Sequence, residues 1–381
     1  MKKTSKKLYV SLLACICAVV FFFSAPAAMA GDIDVPASAA IMVEQQSGRV
    51  LYEKSADERR PMASTTKIMT ALIILEECDL DAVVEIDGRM SGIEGSSMYL
   101  EVGEKLTVSE LLHGLLIRSG NDAAVALAIH ARGSVENFVK RMNERAAEMG
   151  LKDTSFANPH GLHHAEHYTT ARELAKIACA AMEHEVFREI IATERKVVSW
   201  DGHEWDRVLT NKNKILTLIE GGNGIKTGYT KAAGRCLVSA AVQDEMQLIA
   251  VTLNCGDDFA ISAKLLQSGF DDYRMVTVAE KGTVLGKIKT DTGFANVVAQ
   301  RDMAIPMKDG EQLLYEIEIP AAIHGSYQQG SVVGWLDIFD AGEDTGGEKG
   351  EKVAGFQLVL ETGVDSDSFW GKIKMVVNNW S

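Results

Sequence analysis

Three short groups of residues carry the hydroxyl, amine and amide functions from which chemistry could be built. The first is Ser64-Thr65-Thr66-Lys67, which runs straight into an apolar stretch from Ile68 to Leu75. Residues three apart in a helix share one face, so Lys67 can reach toward the Ser64 hydroxyl. That hydroxyl is a weak nucleophile until a base takes its proton. A lysine can be that base only when neutral, and burial and a nearby second cation both push it that way. The second group, Ser119-Gly120-Asn121, falls between two helix-like stretches, where a tight turn can aim a hydroxyl and an amide into a cleft. The third, Lys226-Thr227-Gly228, follows Gly221-Gly222-Asn223-Gly224-Ile225 and reads as the start of a strand. Glycine on an edge strand permits close backbone approach, and a free edge can dock an extended peptide. Each group alone also has an ordinary reading: a capping serine with a solvated lysine, a helix C-cap followed by an N-cap, and a plain strand entry. Their order is more specific, with 55 residues from Ser64 to Ser119 and 107 more to Lys226.

That order resembles the penicillin-binding proteins and serine β-lactamases. The surrounding blocks are similar to the low-molecular-mass D-alanyl-D-alanine carboxypeptidases, the peptidase S11 group. They read Ala63-Ser64-Thr65-Thr66-Lys67-Ile68-Met69-Thr70-Ala71-Leu72 and Ser119-Gly120-Asn121-Asp122-Ala123-Ala124. Asn158-Pro159-His160-Gly161-Leu162, His167-Tyr168-Thr169-Thr170-Ala171 and Gly224-Ile225-Lys226-Thr227-Gly228-Tyr229-Thr230 complete the match. The resemblance implies that Ser64 attacks the carbonyl between two terminal D-alanines of a peptidoglycan pentapeptide, while Lys67 takes its proton. Ser119 would bridge Lys67 and Lys226 and pass a proton to the leaving D-alanine. Asn121 would hold the substrate amide, and Lys226 and Thr227 the terminal carboxylate. Gly228 and Tyr229 complete the substrate-binding strand, with the N–H groups of Ser64 and Tyr229 as oxyanion hole. No cofactor or metal is implied, and β-lactams would inhibit by mimicking the acyl-D-alanine bond.

Two features depart from that pattern. Many relatives carry an arginine near Phe259 to Ile261 that assists carboxylate binding, and none stands there, which shifts that task toward Thr227, Lys226 and Arg235. His160, His163, His164 and His167 have the composition of a metal site, but not the helix-borne His-Glu-x-x-His spacing of a hydrolytic zinc centre. The competing activities are a D,D-endopeptidase with the same serine chemistry, a β-lactamase and a non-catalytic wall-binding protein. Intact Ser64, Lys67, Ser119 and Lys226 argue against the last. For a class A β-lactamase, Glu166 is the sole acid between Asn158 and Tyr168.

These groups need a frame. Ala40–Glu44 and Arg49–Glu53 read as strands of a hairpin turning at Gln46-Ser47-Gly48. Leu237–Val242 and Met246–Leu253 read as a second, turning at Asp244-Glu245. Between them lie helical stretches at Ile68–Glu77, Val108–Ile117 with Ser109 as N-cap, Ala123–Ala131, Val135–Met149 and Thr170–Ala181. Strands at both ends with helices between imply α+β, here a layered α/β/α sandwich of the serine β-lactamase and penicillin-binding-protein type over residues 31–273. From 277 to 363 short alternating runs imply a small all-β domain, with a glycine-rich acidic loop from Asp340 to Lys352.

The ends carry separate signals. Lys2, Lys3, Lys6 and Lys7, an apolar run from Leu8 to Phe23 and Ala28-Met29-Ala30 have the layout of a secretory signal peptide over residues 1–30. Its removal takes away four lysines and no acids, and the net charge goes from −14 to −18. So acidic a chain is ill suited to nucleic acid. Residues 366–381 place Phe369, Trp370, Ile373, Val376, Val377 and Trp380 at helical spacing, as in an amphipathic helix lying on a membrane surface. The expected location is outside the cytoplasmic membrane, peripherally attached at the cell wall. Cys78, Cys179, Cys236 and Cys255 show no metal-ligand spacing and read mostly as buried thiols, with any bridge open.

Overall fold

A computed structural model describes residues 33–200, 202–341 and 350–365. The expected signal peptide, the terminal amphipathic helix and most of the acidic loop lie outside the described residues.

The chain opens with β1 (Ala37–Glu44) and β2 (Val50–Lys54), joined where Gly48 takes a left-handed φ of 68° and the Glu44 carboxylate accepts the Gln46 and Ser47 N–H groups. A 3₁₀ turn, Ala63–Thr66, leads into α1 (Lys67–Glu77). Next come β3 (Val83–Glu85), β4 (Lys105–Thr107), α2 (Val108–Leu116), α3 (Asn121–Arg132) and α4 (Val135–Glu148). They are followed by α5 (Ala171–Met182), α6 (Glu185–Ala192), β5 (Arg195–Val198), β6 (Arg207–Thr210) and the single turn α7 (Ile215–Leu218). The sheet is completed by β7 (Gly222–Thr230), β8 (Gly234–Gln243) and β9 (Met246–Cys255), and α8 (Asp258–Asp272) closes this part.

The antiparallel order β2-β1-β9-β8-β7 leaves β7 as an edge. One face of the sheet packs α1, α3 and α5 through Ile41, Val251, Leu72 and Leu127; the other packs α8 through Leu248, Leu265 and Phe270. The expected α/β/α layering is therefore present. Asp244 and Glu245 both take positive φ, the geometry that lets a two-residue loop match the strand twist of β8 and β9. The cap of α2 differs from expectation. Thr107, not Ser109, is the N-cap: its hydroxyl accepts the Glu110 N–H while the Glu110 carboxylate accepts the Thr107 N–H. That reciprocal pair satisfies two orphan helix-terminal donors, which Ser109, already the second residue of the helix, cannot do.

Beyond α8 the elements of the described residues are strands: β10 (Tyr273–Ala279), β11 (Val284–Thr290), β12 (Gly293–Ala299), β13 (Met303–Lys308), β14 (Leu313–Glu318), β15 (Val332–Asp340) and β16 (Lys352–Leu360). β10 pairs with β13, and the rest form a sheet in the order β11-β12-β16-β15-β14 over a core that includes Ile288, Val297, Ile338, Phe356 and Leu358.

Candidate active site

Three elements converge at the N-terminus of α1. Ser64 sits in the 3₁₀ turn, directly after Ala63, whose φ of 48° is left-handed for a residue with a side chain. Lys67 is fully buried on the first turn of α1. Its amine lies 3.0 Å from Ser64 Oγ, 2.7 Å from Asn121 Oδ1 and 2.6 Å from the His160 carbonyl. Burial, and next the Lys226 cation, hold the Lys67 amine well below the usual lysine range. A neutral amine has two N–H donors and one lone pair. Asn121 Oδ1 and the His160 carbonyl can only accept, so they take both donors and the lone pair faces Ser64 Oγ. This is the arrangement of a base poised to accept the hydroxyl proton.

Asn121 is held from behind, its Nδ2 donating to the Glu94 carbonyl at 2.6 Å. It begins α3, with Gly120 as N-cap, and its side chain points into the site rather than capping the helix. Ser119 stands before it at a φ of 64°, a strained position of the kind that clusters at functional sites. Buried Asp122 orders the facing loop: its carboxylate accepts the Met98, Leu100 and Ala123 N–H groups and the Ser97 hydroxyl.

The edge strand β7 supplies the third side. Lys226-Thr227-Gly228 lies in the middle of this strand, not at its start, because pairing with β8 begins at Gly222. Lys226 is buried and donates to the Thr227 carbonyl at 3.0 Å; burial, then Lys212, lowers its amine to about 7. A Cβ on Gly228 would stand 3.0 Å from Ser64 N and 3.2 Å from the Met62 carbonyl, so a side chain there would press the strand a few tenths of an ångström away from Ser64. Tyr229 is exposed and pairs across the strands with Arg235, which reaches Asp258 at 3.3 Å.

The family model for D-alanyl-D-alanine carboxypeptidase, peptidase S11, matches residues 24–257. The chain belongs to the peptidase S11 family. The carboxypeptidase DacF of Bacillus subtilis is 34% identical over 89% of this chain and 91% of its own length. The carboxypeptidase DacC of Escherichia coli is 30% identical over 96% of this chain and 95% of that protein. Among solved structures, penicillin binding protein 5 from Haemophilus influenzae superposes with a TM-score of 0.69 at 27% identity, covering 87% of this chain and 98% of that one. This S11 chain is a serine-type D-alanyl-D-alanine carboxypeptidase.

The fold brings Ser64, Lys67 and Asn121 of this carboxypeptidase into direct contact and sets Gly228 against them. Ser119 lies two residues from Asn121; among the described residues Lys67 bonds Ser64, Asn121 and the His160 carbonyl, and Lys226 bonds the Thr227 carbonyl, rather than the Ser119 hydroxyl. The contribution of His160 escapes sequence reasoning because it is a backbone carbonyl, which no residue type announces. Asp122 was visible only as a neighbour of Asn121. The four loop histidines do not converge: His163 and His164 are exposed, while the buried His167 ring bonds Thr66 and the Ala157 N–H. Among the described residues no three His, Cys, Asp or Glu side chains are grouped as metal ligands. Glu166 is exposed, whereas Lys67 is buried. The four described cysteines are free thiols; burial pushes Cys179 up to about 12 and Cys236 up to about 11.

Proposed function

We propose that this enzyme removes the terminal D-alanine of peptidoglycan stem pentapeptides, outside the cytoplasmic membrane, through an acyl-enzyme on Ser64. The observation that carries the reading is the 3.0 Å contact between Ser64 Oγ and a buried Lys67 amine whose other two partners are pure acceptors. Lys67 takes the hydroxyl proton as Ser64 Oγ bonds to the carbonyl carbon between the two D-alanines. The N–H groups of Ser64 and Tyr229 receive the developing oxyanion, a contribution of about 3 kcal/mol per donor in comparable sites. The C–N bond then breaks, and the proton returns through Ser119 to the leaving amine. Asn121 positions the substrate amide. Lys226 and Thr227, with Arg235 as the nearby permanent cation, bind the terminal carboxylate, and Gly228 lets the substrate strand lie close. Water then hydrolyses the Ser64 ester. A β-lactam presents the same acyl bond in a ring and is expected to acylate Ser64.

The test is to label the protein with a fluorescent penicillin, map the adduct by mass spectrometry and measure D-alanine release from a pentapeptide. Ser64→Ala is expected to abolish both. D-alanine release at the wild-type rate from that variant would overturn the reading.

A further inference from the structure

The buried histidine of the 158–168 loop has a defined set of contacts. His167 is 3% exposed and its ring is fixed on three sides. Phe156 packs edge-on at 5.9 Å, the Ala157 N–H points at Nδ1 from 3.0 Å, and Nε2 lies 2.7 Å from the Thr66 hydroxyl. A backbone N–H can only donate, so Nδ1 carries the lone pair. Burial lowers the imidazole to about 4, so the ring is neutral at physiological pH and its one proton is on Nε2. Nε2 therefore donates to Thr66 Oγ1. The single proton of Thr66 is then free to go only to its other partner, the Ala63 carbonyl at 2.7 Å. The direction of both hydrogen bonds follows from the first donor.

The end of this chain is the peptide unit joining Ala63 to Ser64. A trans peptide is planar, and its C=O and N–H point in opposite directions. Holding the Ala63 oxygen therefore fixes where the Ser64 N–H points. The Ser64 nitrogen lies against the strand carrying Gly228, since a Cβ there would stand 3.0 Å from it. Ala63 needs such support because its φ of 48° costs energy in a residue with a side chain. Gly161 packs on the same carbonyl so closely that no Cβ could be accommodated there.

We propose that His167 and Thr66 are positioning residues for the oxyanion-binding peptide: His167 Nε2 donates to Thr66 Oγ1, Thr66 donates to the Ala63 carbonyl, and the Ser64 N–H is thereby aimed at the substrate carbonyl oxygen. Both side chains are buried, Thr66 at 1% and His167 at 3% exposed. The inference rests on the reading of Ser64 as nucleophile and its N–H as an oxyanion donor.

The experiment compares Thr66→Val, Thr66→Ser, His167→Phe, His167→Gln and the double variant Thr66→Val/His167→Phe. The readouts are kcat and KM for D-alanine release, the acylation rate with a fluorescent penicillin, and Tm. Loss of an oxyanion donor costs about 10²–10³ in kcat, and misaiming one should cost less, about 10-fold to 10²-fold. Thr66→Val and His167→Phe are expected to lose that much in kcat with KM within about twofold. Thr66→Ser and His167→Gln, which keep a donor at the same place, should recover most of the loss. Because the two act in series, the double variant should be no slower than the worse single one. Wild-type kcat in folded Thr66→Val, a loss in KM alone, or losses that multiply in the double variant would overturn the proposal. If His167→Phe fails to fold, the isosteric Thr66→Val with its Thr66→Ser rescue decides alone. Ser64→Ala assayed in parallel separates the two levels: an active Ser64→Ala removes the nucleophile reading, whereas a dead Ser64→Ala beside a fully active Thr66→Val removes only the relay.

Discussion

The two parts of the molecule bury different things. In the part ending at α8 the interior holds Lys67, Asn121, Asp122, His167, Lys226 and the Arg207–Glu104 pair. In the β-rich part, among the described residues, the buried polar side chains are Thr290 and Asp337, and Asp337 is paired with Lys352 at 2.7 Å. Backbone strain divides in the same way. The seven described non-glycine residues with left-handed φ, Ala63 and Ser119 among them, all precede Tyr273. Burying an amine or forcing a serine left-handed costs free energy, and a fold tolerates it where surrounding structure over-determines the position. The strand order does this for Ser64, which is held between β7, α1 and the 158–162 loop. In the described β-rich part that cost is confined to one ion-paired carboxylate beside an otherwise apolar core.

The sharpest way to break that contrast is at Gly228. A Cβ there meets backbone atoms of Met62 and Ser64, not flexible side-chain ends, so β7 itself must move. Gly228→Val is expected to lower kcat/KM by about 10²-fold, the scale of an ångström-level misplacement of catalytic groups. Steady-state D-alanine release measures it, and an unchanged kcat/KM would mean that the close approach of β7 is incidental.

A smaller effect follows from the Lys226 amine, lowered by burial to about 7. Below that pH it is a cation able to meet a carboxylate; above it the charge is lost. kcat/KM, which reports the free enzyme, should therefore fall on the alkaline side with an apparent pKa near 7. The stability effect has the opposite sign. Between about 7 and the ordinary 10.5 the unfolded chain holds a proton that the folded one does not. Stability contributed at this site thus rises with pH across that window, and the rise should be absent in Lys226→Met. Denaturant unfolding of both proteins at pH 6.5 and pH 9 gives the difference. A flat difference would place Lys226 in a more solvated setting.

Much of this was legible in the sequence. The hairpin at Asp244-Glu245, the helices from 67 to 182 and the three motifs follow from periodicity, turn residues and spacing. Two kinds of feature were not. The helix α8 was missed because its inward face starts with Asp258 and Ser262 before Leu265, Leu266 and Phe270, which breaks the apolar stripe that signals a helix. Ser262 faces Thr252 at 3.3 Å instead of filling an apolar position. The other kind is backbone chemistry. The His160 carbonyl on Lys67 and the Ala63 peptide depend on where loops return in space, and side-chain identity does not encode that. His167 was visible as a residue but misleading as one of four histidines, since only burial separates it from its exposed neighbours.

The smallest expected effect on catalysis comes from the core of the β-rich part. Phe356 on β16 is 3% exposed among Ile338, Leu358 and Val297. Phe356→Ala should destabilise that part by about 3–5 kcal/mol, the usual result for a buried aromatic. Yet the groups around Ser64 come from α1, α3, β7 and the 158–162 loop, and none comes from beyond Tyr273. The contacts between the parts include Arg49, which is bonded to the Pro306 carbonyl and Glu311, Lys308, 3.9 Å from Asp272, and Arg301, which donates to the Gln46 carbonyl at 3.1 Å and lies 3.8 Å from Glu183. Arg49 sits at the start of β2, the edge strand farthest from β7, so the sheet stands between this latch and the site. kcat at a temperature where the variant remains folded should therefore stay within about twofold of wild type while the thermal transition of the β-rich part shifts down. A fall in kcat of more than about tenfold under those conditions would mean that the latch at Arg49 transmits strain across the sheet to β7, and that the two parts are one mechanical unit.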